Sequence, residues 1–149
     1  MASDWTAALE DLSSSYETTV TGADVATFVQ LTGDDYEAHT DADFMAKSSF
    51  GQTIAHGALL VGYMSAAGTR AIRAARARGN TMIPVSLGYD RMRFVAPVFF
   101  GDRVTVSYQV KSIDAARNRS LAEIEVVRQD GSVVAVAEHI MKWLQSDAI

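Results

Sequence analysis

The run from about Thr53 to Ala77 constrains this chain more than any other part. Its first half, Ile54-Ala55-His56-Gly57-Ala58-Leu59 and on to Gly68, is apolar almost all round. A helix apolar on every side is buried, not laid on a surface. Gly57, Ala58, Gly62, Ser65, Ala66 and Ala67 keep it thin, so other backbone can approach closely. The apolar run is about 15 residues long, and a membrane span needs roughly 20, so it reads as a core helix. The second half carries Arg70, Arg73, Arg76 and Arg78, then stops at Gly79-Asn80.

Everything after Asn80 reads as β-structure. Val85–Val95, Asp102–Ile113, Ser120–Gln129 and Ser132–Leu144 are the expected strands. Pro97 with Gly101-Asp102, then Asp114 to Arg117, then Asp130-Gly131 separate them, the last being a tight-hairpin signal. Alternation shows in Val104-Val106-Tyr108-Val110 and in Val134-Val136-Glu138-Ile140. Ahead of the helix, residues 2–12 predict a short amphipathic helix on Trp5, Leu9 and Leu12. Ser15–Thr21 predicts a strand. Thr21 or Asp24 can cap a helix to about Leu31, with Val25, Phe28, Val29 and Leu31 inward and Gly33 ending it. Asp41–Ala46 predicts one or two further turns, capped by Asp41 or Asp43. One buried helix and about five antiparallel strands make a two-layer α+β domain with the sheet curved round the helix. At 149 residues the chain is expected to be a single domain, residues 1–149, with 1–14 as an N-terminal extension.

Composition removes several function classes. A net charge of −5 gives no general reason to expect nucleic acid or an anionic membrane as partner. With no cysteine, thiolate catalysis, disulfides and Cys-ligated metal clusters are excluded. Met1-Ala2-Ser3-Asp4-Trp5 lacks the basic start and apolar core of a secretory signal, so a cytoplasmic location is expected.

Chemistry concentrates in Leu31-Thr32-Gly33-Asp34-Asp35-Tyr36-Glu37-Ala38-His39-Thr40-Asp41. A carboxylate and an imidazole five residues apart on an irregular segment can hold a water and move its protons. The start of the buried helix supplies free N–H groups and a positive dipole end, which suits a developing negative oxygen. Together they point to adding or removing water beside a carbonyl. Each residue also has a plainer reading. Asp34 can cap the next turn, and His39 can be a solvated loop residue. Ser65 can be a small packing residue. His56 reads best as an interior histidine that holds the loop.

These residues resemble a known family. Phe28, Leu31-Thr32-Gly33-Asp34, His39, Phe44, Phe50, Ile54-Ala55-His56-Gly57 and Ser65, with the later Arg93-Phe94-Val95-Ala96-Pro97-Val98-Phe99-Phe100-Gly101-Asp102-Arg103-Val104, are similar to the MaoC-like (R)-specific enoyl-CoA hydratase/dehydratase family. The resemblance spans roughly residues 15–144 and implies a single hotdog domain, normally a homodimer. It implies a catalytic Asp34 and His39, Ser65 as their polar supporter, and the Gly57 amide as oxyanion donor. The implied substrate is a 2-enoyl or (R)-3-hydroxyacyl thioester of coenzyme A or acyl carrier protein, with no metal or redox cofactor. Tyr36 and Glu37 stand where the family usually has Asn-Pro, which alters the catalytic turn.

Two other functions compete. A hotdog acyl-CoA thioesterase would need a carboxylate on the central helix, and none lies between Gln52 and Gly79. A non-catalytic acyl-binding subunit would keep the fold, and Tyr36-Glu37 leaves room for it. The arginines at 70, 73, 76 and 78, with Lys111, Arg117 and Arg119, read better as a solvated face than as ligands for phosphate.

Overall fold

The computed structural model describes residues 4–146. A single turn of 3-10 helix, Ala7–Leu9, precedes β1 (Ser13–Thr19), α1 (Gly22–Thr32), α2 (Glu37–Thr40), α3 (Ala42–Ala46) and α4 (Gly57–Ala77). Four strands complete the chain: β2 (Ile83–Phe94), β3 (Arg103–Asp114), β4 (Arg119–Arg128) and β5 (Val133–Leu144). They form one antiparallel sheet in the order β1-β3-β4-β5-β2. None of the described helices is long and apolar enough to cross a membrane.

Register lays rows of inward residues across the sheet. Tyr16, Val106, Val126, Ala135 and Phe94 are successive partners in one row. Val110, Ala122, His139 and Tyr89 make another. On α4 the residues Leu60, Met64, Ala67, Gly68, Ala71 and Ala75 are buried at helical spacing. Gly68 sits close against the sheet, where a Cβ would just reach van der Waals contact with the side chains of Met141 at 3.4 Å and Tyr108 at 3.5 Å.

Several expectations need correction. The long helix is not buried all round, because Ala58, Gly62, Ser65 and Thr69 form an exposed stripe. The sheet covers only one side of α4, and small residues on the other side leave it apolar but open. The helix also starts at Gly57, four residues late. Ile54 and Ala55 are extended instead: Ile54 bridges Phe99, and the Ala55 N–H donates to the Val98 carbonyl at 2.8 Å. The predicted helix over 2–12 reduces to the one 3-10 turn, with residues 2 and 3 outside the described part. Leu9 and Leu12 are nevertheless buried, and Trp5 packs on Trp143 at 5.9 Å. Leu31 is 81% exposed. It sits about 120° round α1 from the buried Val25, off the inward face.

Candidate active site

Local sequence fixes the approach to Asp34. A capping box starts α1: the Thr21 hydroxyl accepts from the Asp24 N–H, and the Asp24 carboxylate from the Thr21 N–H. Gly33 ends it in the left-handed region, φ 80°, its N–H donating to the Val29 carbonyl. The chain then turns into Asp34, whose N–H donates to the Thr32 hydroxyl. The segment carrying His39 is not irregular throughout. It makes the single turn α2, closed by the Thr40 hydroxyl donating to the Asp35 and Tyr36 carbonyls. Buried Ala38 anchors this turn, its carbonyl accepting from the Ile54 N–H at 3.0 Å. Asp41 caps α3 by accepting from the Phe44 N–H.

The His39 Nδ1 lies 2.7 Å from the Ile54 carbonyl. A carbonyl only accepts, so Nδ1 carries the hydrogen and the neutral ring presents its lone pair at Nε2. The His56 Nε2 donates to the Asp34 backbone carbonyl at 2.9 Å and stands 3.9 Å from the Asp34 carboxylate. The rings of His39 and His56 stack at 3.7 Å, 26° from parallel. Phe28 backs His56 at 4.6 Å, and Tyr36 meets His39 edge-on at 6.1 Å. Tyr36 is thus an aromatic neighbour of the His39 imidazole, while Glu37 is exposed at the first position of α2.

Asp34, His39 and His56 each offer an atom within 4.8 Å of the other two. A single water can bridge groups at that separation. One metal ion fits poorly, because imidazole lone pairs lie in the ring planes and two near-parallel planes do not converge on a point.

A chamber of about 370 Å³ adjoins the pair, walled by His39, Gly57, Phe50, Leu60, Phe94 and Val98 among others. Its lining is mainly apolar, with the imidazole and the first residue of α4 as exceptions. Among the described residues no backbone carbonyl accepts from the Gly57 N–H. Asp34 stands beside His39 but is not on the chamber wall, and its side chain is half exposed. Ser65 is not brought to the pair. It lies about 12 Å further along α4 on the exposed stripe, with no hydrogen bond to Asp34 or His39. A larger hollow of about 430 Å³ lies on the outer sheet face among Glu123, Glu125, Glu138 and Arg91. It has neither an imidazole nor a helix start.

Two features escaped the sequence reading. Phe94 covers the start of α4, which only cross-sheet register reveals. His139 is buried, with Tyr108 Oη 2.8 Å from Nδ1, Ser86 Oγ 2.7 Å from Nε2 and Tyr89 stacked at 4.5 Å. Burial pushes His139 down to about 4 and raises the Tyr108 phenol. A base that resists protonation this strongly is a poor partner for a serine nucleophile, so the trio is a satisfied core network. Arg70, Arg73, Arg76 and Arg78 are all exposed, and two of them tie α4 to the N-terminal segment. Arg70 lies 5.0 Å over the Tyr16 ring and donates to the Ser15 carbonyl, and Arg78 donates to the Glu10 carbonyl.

Known proteins resemble this chain in sequence and in fold. The family described as MaoC like domain matches residues 6–132. Protein MaoC of Klebsiella aerogenes is 33% identical over 105 residues, 70% of this chain but only 29% of that protein. The 3-hydroxyacyl-thioester dehydratase Z of Mycobacterium tuberculosis is 28% identical over 142 residues, covering 93% of this chain and 91% of its own. The solved structure of the (R)-hydratase from A. caviae superposes with a TM-score of 0.75 at 25% identity, covering 91% of this chain and 96% of that one. These neighbours share the hotdog arrangement of five antiparallel strands round one long helix.

Proposed function

The chain belongs to the family of MaoC-like domains, and on that premise we propose that it interconverts 2-enoyl and (R)-3-hydroxyacyl thioesters by adding and removing water. The acyl group would be carried on coenzyme A or acyl carrier protein. The observation that carries this reading is that Asp34 and His39 offer a carboxylate oxygen and an imidazole nitrogen within 4.8 Å of each other, beside an apolar chamber that ends on a free helix amide. The names of the M. tuberculosis dehydratase and the A. caviae hydratase support it.

In the hydration direction Asp34 and His39 hold one water between them. Its oxygen bonds to C3 of the enoyl group, the proton it gives up passes to the pair, and C2 receives a proton from the pair. Charge accumulates meanwhile on the thioester oxygen. The Gly57 N–H, backed by the α4 dipole, stabilises that oxygen, a contribution of about 3–4 kcal/mol for one such donor. Acid–base groups of this kind supply roughly 10²–10⁴-fold each. No metal enters the scheme. Ser65 would matter only if assembly brought a second copy against the exposed stripe of α4.

We place the second copy there and along β2. This edge strand presents the half-exposed Ile83, Val85 and Leu87, and a long apolar edge needs covering. Sedimentation at micromolar concentration should give a homodimer, and a monodisperse monomer would contradict that assembly.

The reaction is tested by mixing the protein with crotonyl-CoA and following the conjugated enoyl-thioester absorbance together with free thiol. Loss of absorbance without thiol is expected. Released thiol would instead identify a thioesterase, and no change with crotonyl- or longer 2-enoyl-CoA would favour an acyl-binding subunit or an unusual substrate.

A further inference from the structure

We propose that His56 is a positioning residue that sets the acid, the base and the oxyanion donor relative to one another; this rests on the roles given above to Asp34, His39 and Gly57. His56 is 1% exposed, and it meets the site in three ways, twice through its ring and once through its backbone. One face stacks on His39 at 3.7 Å. Its Nε2–H holds the backbone carbonyl of Asp34 at 2.9 Å. Its own backbone is the N-cap of α4, so the next residue is Gly57.

The tautomer makes the case sharper. With hydrogen on Nε2, the His56 Nδ1 is a bare acceptor, and it is buried with no partner among the described residues. An unpaired buried acceptor is destabilising, and a hydrocarbon ring of similar size would avoid it. What such a ring would lack is the hydrogen bond to Asp34. What a short amide would lack is the stack against the His39 ring, whose Nδ1 lies 2.7 Å from the Ile54 carbonyl. His56 supplies both. Phe28, its ring centre 4.6 Å from that of His56 and tilted 51° to it, packs on the same imidazole.

His56→Gln and His56→Phe separate the two contacts. Glutamine can still donate to the Asp34 carbonyl but has no ring, and phenylalanine keeps a ring but donates nothing. Both should fold, and each should lower kcat by about 10- to 100-fold, the penalty for small displacements in a reacting array. KM should stay within about twofold, because substrate does not touch His56. The second readout needs no turnover. In the wild-type protein, ¹⁵N resonances of His39 should report one tautomer with hydrogen on Nδ1, and in His56→Gln a mixture. If kcat and the His39 tautomer are unchanged in both variants, or if neither variant folds, the inference is overturned. Should wild-type protein turn over no enoyl thioester, the hydratase reading fails, while the resonances still decide what His56 does.

Discussion

A Cβ at position 57 would lie 2.5 Å from Cε2 and 2.6 Å from Cδ2 of Phe94. No real side chain tolerates that, so Gly57→Ala must push the Phe94 ring away or shift the start of α4. Either displacement disturbs the donor in a chamber lined by both residues. Gly57→Ala should lower kcat/KM by about 10- to 100-fold, and adding Phe94→Ala should restore part of the loss. A double-mutant cycle on kcat/KM checks this, and strictly additive effects would contradict it. Asp34, His39 and Gly57 were legible in sequence as candidates, the first two by their spacing within one segment, the third as the start of the apolar helix, and all three by resemblance to a family pattern. Phe94 was not. Its pairing with Ala135 sets it against Gly57, 37 positions away in the chain, a contact that no local pattern encodes. Ser65 illustrates the reverse case. The family pattern marks it, yet within one chain it faces outward.

At the scale of elements, helix ends were readable wherever a side chain or glycine enforces them. The Thr21 capping box and the left-handed Gly33 bracket α1 and deliver the chain to Asp34. Thr21→Ala should therefore cost about 1 kcal/mol, seen as a lower urea midpoint with an unchanged slope. A midpoint equal to wild type would mean the box contributes nothing. The start of α4 was misplaced because Ile54 and Ala55 are as apolar as the helix that follows, and periodicity cannot tell an extended apolar stitch from a first helical turn. The facing of β5 was ambiguous for the same reason. Val134-Val136-Glu138-Ile140 alternates convincingly, but Ala135, Ala137, His139, Met141 and Trp143 form the inward row.

For the whole molecule, architecture followed from one thin apolar helix and a β-rich second half, since few arrangements bury such a helix other than a sheet wrapped round it. The stripe along α4 shows where that inference stops: an all-round apolar helix predicts burial, but one chain does not supply the covering for both sides. His139 sets a pH dependence on the assembled core. Its ordinary value is 6.5, and in the folded chain burial holds it at about 4. Between those values the unfolded chain binds the extra proton. Stability from this group is thus complete above pH 6.5 and falls as pH drops through that window, by about 2 kcal/mol between pH 7 and 5. Urea unfolding at the two pH values should show this loss in wild type and a smaller one in His139→Gln, and equal losses would rule out His139 as its source. The most direct test of the account is turnover of crotonyl-CoA by wild type and by Asp34→Asn. Wild type should hydrate crotonyl-CoA, and the variant should do so at least about a hundredfold more slowly with its unfolding transition unchanged. A variant that hydrates crotonyl-CoA at the wild-type rate would contradict it.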